Sequence, residues 1–210
     1  MKVCVVNVGG PATYEYDGKQ VTTAFFKHPV DGPLFLSKTG LPGDAQVDTV
    51  HHGGPDKAAL LYATEHTPYW TELLGKDPGP AIMGETLTVS GLTEAGAKIG
   101  DVYQIGEAVV QVSQPRVPCY KANIRHGIAD MDKKVMACGY TGVYVRVLTE
   151  GQVKAGDSIT LVSRNEGAPT VAELNHLVYH DQGNKAEIAR CLANAVGLAE
   201  VWQGWLRKLS

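Results

Sequence analysis

Apolar and polar residues alternate with a period of two along most of residues 1–163, and fall on a helical period after that. The alternation predicts strands over residues 2–8, 86–90, 101–105, 108–113, 142–148 and 158–162. Residues 13–26 alternate on both sides of Asp17-Gly18, the residue pair of a tight hairpin, and Gly106-Glu107 joins two further strands in the same way. Helical spacing predicts helices over 65–74 and 130–138, stopped by Gly75 and Gly139, because glycine adopts the left-handed turn that ends a helix. Ala97-Lys98-Ile99-Gly100-Asp101-Val102 and Val153-Lys154-Ala155-Gly156-Asp157-Ser158 repeat one turn chemistry before a strand. Many short strands with regular turns point to a mainly β fold, in which a barrel would remove exposed sheet edges.

The pattern changes after Arg164. Asn165-Glu166-Gly167-Ala168-Pro169 reads as a connector, and three helical patterns follow it. Thr170 with Glu173 has the spacing of a capping box, Asn184 with Glu187 opens a second helix, and Val201, Trp202, Trp205, Leu206 and Leu209 fall on the helical spacing of a third. The expected division is a β domain over 1–163 and a small three-helix domain over 164–210.

Composition narrows the function classes. At 210 residues, 44% hydrophobic and 20% charged, the chain suits a soluble globular protein with a sizeable core. A formal net charge of −3 argues against a nucleic-acid partner, which calls for a basic face. In the tail, Lys185, Arg190, Arg207 and Lys208 are balanced by Glu173, Asp181, Glu187 and Glu200, so a DNA-reading helix pair is disfavoured. No stretch approaches the roughly 20 apolar residues of a membrane span, and the N-terminal apolar run is too short for a secretory signal. Cys4, Cys119, Cys138 and Cys191 are scattered, without a C-x-x-C pair, which disfavours a zinc site, an iron–sulfur cluster or a disulfide framework. A cytoplasmic protein with free thiols is the expectation, and the aromatic tail makes a homodimer plausible.

Three strings hold candidate chemistry. In Gln114-Pro115-Arg116-Val117-Pro118-Cys119 two prolines break the strand and leave a thiol on a loop, with Arg116 before it and Lys121, Arg125 and His126 after it. Nearby positive charge favours thiolate, the nucleophilic and metal-binding form. A buried thiol that merely packs is the alternative. In His51-His52-Gly53-Gly54-Pro55-Asp56-Lys57, the Gly53 and Gly54 amides suit an anion-binding nest beside Lys57; the same glycines also suit a plain turn. Adjacent histidines on an extended segment point to opposite faces, so a shared metal site is disfavoured. Arg125 and Lys121 suit an anion pocket beside the thiol, or an ordinary charged face. A thiol hydrolase with His52 or His126 as base to Cys119 lacks an oxyanion signature.

Taken in order, Gly43-Asp44-Ala45-Gln46-Val47-Asp48, His52-Gly53-Gly54-Pro55-Asp56-Lys57-Ala58, Gly84-Glu85-Thr86-Leu87, Gly100-Asp101, the string ending at Cys119, and Gly139-Tyr140-Thr141-Gly142-Val143-Tyr144 resemble the MOSC-domain family, named for the C-terminal domain of molybdenum cofactor sulfurase. The three-helix tail is similar to that of its stand-alone bacterial YiiM-type branch. One departure is visible: Thr86 stands where the family often has Asn. The resemblance implies a β-barrel of the pyruvate-kinase type. It implies binding of the molybdenum cofactor (molybdopterin), with Cys119 as protein ligand to molybdenum and as catalytic residue. Gly53, Gly54, Lys57, Arg116 and Arg125 would hold the phosphate and pterin, and His52, His126 or Asp56 would relay protons. The implied activity is reduction of N-hydroxylated small molecules such as 6-N-hydroxylaminopurine, a detoxification of base analogues. Because the chain has no clustered cysteines, electrons would come from a separate reductase. A cofactor carrier, or a sulfur carrier with a Cys119 persulfide, is the competing reading.

Overall fold

The computed structural model describes residues 1–47 and 53–210. Eight strands form one mixed sheet in the order β12 (Ile159–Ser163), β8 (Val102–Ile105), β9 (Ala108–Pro115), β10 (Val143–Thr149), β6 (Ala59–Ala63), β7 (Leu87–Ser90), β1 (Lys2–Val8) and β4 (His28–Val30). Only β6 and β7 run parallel. Two small ribbons stand apart, β2 (Ala12–Tyr16) with β3 (Lys19–Thr23), and β5 (Leu34–Leu36) with β11 (Gly151–Val153).

Local chemistry accounts for the joints. Asp17 and Gly18 both take positive φ, 53° and 70°, as the β2–β3 hairpin turn requires. Ile105 pairs with Ala108 across Gly106-Glu107. A Cβ on Gly106 would lie 2.4 Å from an Asp157 carboxylate oxygen, so no side chain fits there. The two repeated turns are chemically the same. The amide of Lys98 donates to Asp101 Oδ2 at 3.0 Å, and that of Lys154 to Asp157 Oδ2 at 2.8 Å.

The second of these turns brings the sheet's ends together. Val3 N donates to Asp157 O, Gly156 N to Val3 O, and Ile159 N to Met1 O, and Lys2 forms a single bridge with Ser158. The fold is a large mixed sheet with helices at its C-terminal end; β1 meets the approach to β12 through these backbone bonds and a single bridge, and no closed barrel is assigned among the described residues. β6 escaped the alternation because Ala-Leu-Leu-Tyr-Ala is buried throughout, as befits a central strand with both faces covered.

Helices α1 (Thr67–Leu74) and α3 (Met131–Cys138) end at Gly75 and Gly139 in the left-handed conformation. A short helix, α2 (Lys121–His126), lies where only a charged loop was expected. With α1 and α3 it covers a second apolar cluster that includes Phe25, Tyr62, Trp70, Met83 and Val135. Three C-terminal helices follow, α4 (Val171–Tyr179), α5 (Lys185–Asn194) and α6 (Glu200–Leu209). The capping box is formed: Glu173 N donates to Thr170 Oγ1 at 3.1 Å and Thr170 N to Glu173 Oε2 at 2.6 Å. The buried side chains of these helices, Leu174, Ile188, Trp202 and Leu206 among them, belong to the same contiguous core as the sheet. No helix among the described residues is long and apolar enough to cross a membrane.

Candidate active-site cleft

β9 must end at Pro115, which has no N–H for the ladder. The next residue, Arg116, is tied back by its amide to Gly142 O at 3.2 Å, and its side chain turns into an open cleft of about 600 Å³. The cleft walls come from the segment after β3, the 43–47 loop, the 3-10 turn Pro55–Lys57, the approach to β7, α2 and β10. Lys27, Lys57, Arg116 and Lys121 face Asp44 there, so the lining is cationic.

Arg116 is 2% exposed. Its guanidinium sits 5.1 Å over the Phe25 ring, and Nη2 approaches Cys119 Sγ at 3.9 Å. Nη1 has no hydrogen-bond partner among the described residues. A buried, unpaired donor costs about 1–3 kcal/mol, more when charged, so this cation calls for an acceptor. Cys119 is half-buried two residues before α2; it is not itself among the residues that line the cleft and meets it through Arg116. Tyr144 on β10 lines the same cleft; burial pushes its hydroxyl pKa up, opposed by the nearby Arg116 charge.

The opposite wall holds a group that the sequence did not bring together. Lys27 Nζ lies 2.5 Å from Asp44 Oδ2 and 3.1 Å from Thr86 Oγ1. The Thr86 hydroxyl also accepts from Leu60 N and donates to Asp44 Oδ2, each at 3.3 Å. Thr86 therefore serves as a hub with its single hydroxyl. Asp44 lies within a motif that the family resemblance singles out; Lys27 follows two phenylalanines with no recognisable spacing. Beneath them Glu85 is fully buried, accepting from Met83 N and Thr88 Oγ1 at 2.9 Å each, and burial raises its carboxyl pKa.

The other candidates are placed as follows. Lys57 lines the cleft. Gly53 is buried, and Gly54, with φ of 100°, gives its amide to Gln46 Oε1 at 3.3 Å; neither lines the cleft. Arg125 is also outside the lining. It donates to Pro80 O at 3.1 Å and lies 5.7 Å over Phe26, and burial lowers its pKa. His126 hydrogen-bonds Ile82 O at 2.8 Å, and burial lowers its pKa. Asp56 accepts from Arg146 Nε at 2.7 Å. His52 lies outside the described residues. All four cysteines are free.

Comparison with known proteins gives the family. Residues 48–160 match the MOSC domain. The uncharacterized protein YflK of Bacillus subtilis is 46% identical over 206 residues, covering 98% of this chain and 93% of YflK. A protein named Reductase from Gibberella moniliformis is 34% identical over 151 residues, 70% of this chain but 27% of that longer protein. The crystal structure of YiiM from Geobacillus stearothermophilus superposes with a TM-score of 0.83 at 35% identity, covering 99% of this chain and 98% of that one. The chain belongs to the MOSC domain family.

Proposed function

We propose that this chain binds the molybdenum cofactor in the cationic cleft and reduces N-hydroxylated small molecules with electrons from a separate reductase. The supporting observation is the buried Arg116, whose Nη1 lacks a partner while Nη2 lies 3.9 Å from Cys119 Sγ. An anionic ligand with a soft metal centre suits both groups at once, since guanidinium pairs with phosphate and thiolate binds soft metals. The cleft residues therefore fit the cofactor. A relative named Reductase is consistent with redox chemistry.

When bound, the cofactor supplies the two-electron chemistry: R–NHOH, two electrons and two protons give R–NH2 and water. The remaining tasks fall to side chains. Cys119 holds the metal as thiolate. Arg116 and Lys57 hold the phosphate and pterin, with the backbone at Gly53 and Gly54 close behind Lys57. Arg125 and His126 support the cleft from outside by fixing the carbonyls of Pro80 and Ile82. Asp56 is engaged by Arg146, which leaves His52 as the proton relay named from the motif. Lys27 and Asp44 form an ion pair within the cleft.

The test is metal and pterin analysis of wild type and Cys119→Ala purified from a cofactor-competent host. Near-stoichiometric molybdenum in wild type, with its loss and loss of hydroxylaminopurine reduction in the variant, is the expected result. Absence of molybdenum and pterin from wild type refutes the proposal.

A further inference from the structure

A second cavity, about 950 Å³ and open to solvent, lies between the turn at Glu65 and His66, the 93–95 loop, the end of α3 and α4. Its chemistry is the reverse of the first. None of its described lining residues is Lys or Arg; Glu65, Glu94, His66, His176 and His180 are there instead. The floor is buried and the rim exposed: Asn175 is 2% and Glu94 4% exposed, whereas His176 and His180 stand in solvent.

Asn175 Nδ2 is committed to Gly139 O at 3.2 Å and Thr141 Oγ1 at 2.9 Å, which fixes the amide orientation. Its buried Oδ1 then has no donor among the described residues. Beside it the His66 ring stacks on Tyr140 at 3.9 Å and 12°. Glu94 accepts from His66 Nε2 at 2.6 Å and from Gly142 N at 2.7 Å, leaving further lone pairs on each oxygen.

A metal ion does not suit these groups. Among the described residues no three His, Cys, Asp or Glu side chains are arranged to hold one. His66 Nε2 is engaged by Glu94, His180 Nε2 is within hydrogen-bond distance of Met136 O, and burial raises the Cys138 pKa, keeping it a thiol. What remains is a set of acceptors beside a stacked ring pair. We propose that this cavity is a second ligand site, for a small planar organic molecule with N–H donors, of the amidinium or aminated-heterocycle class. Asn175 Oδ1 accepts one hydrogen bond from it, Glu94 offers a second acceptor, and the ligand packs beside the His66–Tyr140 pair.

The site is independent of the cofactor cleft, although Gly142 touches both: its amide donates to Glu94 and its carbonyl accepts from Arg116 N. The experiment is an amide-resolved NMR titration of the full chain with benzamidine, and with benzoate as its anionic counterpart of the same shape. Benzamidine is expected to move the amides of residues 139–142 and α4 saturably, and benzoate to leave them in place. Asn175→Val removes a hydrogen bond from a charged donor, and is expected to weaken benzamidine about tenfold or more. Should that variant not fold, Ala172→Trp, on the cavity wall, plugs the site from α4 and is expected to abolish the shifts. No shifts with benzamidine, equal shifts with benzoate, or undiminished binding in Ala172→Trp would overturn the proposal.

Discussion

Replacing Arg116 by Met separates what this residue does for the fold from what it does for the ligand. In the ligand-free protein the guanidinium is 2% exposed, with one unpaired nitrogen and one long contact to sulfur. The unpaired donor costs about 1–3 kcal/mol. The stack over Phe25, at 5.1 Å, returns about 1–2 kcal/mol. Met is unbranched and polarizable, keeps a sulfur–ring contact worth about 0.3–1.5 kcal/mol, and buries no charge. Ligand-free Arg116→Met is therefore expected to match or exceed wild type by about 1 kcal/mol, a rise of roughly 2–4 °C in Tm for a chain of this size. The loaded protein should behave oppositely. Losing a charge-assisted hydrogen bond of about 1.5–3 kcal/mol weakens anion retention roughly tenfold to a hundredfold. The assays are calorimetric melting of cofactor-free protein and pterin content after gel filtration of loaded protein. A variant destabilised by more than about 2 kcal/mol, or one that keeps its pterin, would refute the reasoning.

Other outcomes follow from burial and titration. Cys119→Ala should melt within about 1 kcal/mol of wild type, because the thiol is half-buried and contributes little packing, while activity is lost. Glu85 has a carboxyl pKa raised by burial, so the folded form keeps its proton to a higher pH than the unfolded chain does. Its stabilising contribution is complete below the unfolded value near 4.5 and fades as pH rises through the folded pKa. Glu85→Gln should therefore gain stability relative to wild type as pH increases above that range, measured by urea midpoints; a constant difference across pH would contradict the assignment. Cys191 is fully buried and its pKa is pushed up to about 11, so at neutral pH iodoacetamide should leave it unmodified in the native protein and label it after unfolding, as read by peptide mass spectrometry.

Short-range features were legible in the chain because their causes lie within a few residues. The Asp17-Gly18 hairpin, the Thr170–Glu173 capping box, the glycine stops at 75 and 139 and the twin Lys-x-Gly-Asp turns each follow from conformational limits or from a hydrogen bond spanning three residues. The loop thiol at Cys119 was legible for the same reason, since Pro115 and Pro118 forbid a continuing ladder. The family motifs, in order along the chain, carried the rest of the functional reading.

Tertiary structure decided whatever depends on a distant neighbour. β6 is a strand because β10 and β7 flank it, and its uniform burial erases the alternation that announces half-buried strands. Arg125 and His126 were indistinguishable from cleft residues until the carbonyls of Pro80 and Ile82, more than forty positions away, were seen to engage them. Lys27 became a cleft residue only when folding set it against Asp44 and Thr86. The unpaired atoms of Arg116 and Asn175, on which both proposed sites rest, are visible only once every partner is in place. Local sequence determines conformation over one turn of chain, whereas burial and hydrogen-bond satisfaction are properties of the packed whole.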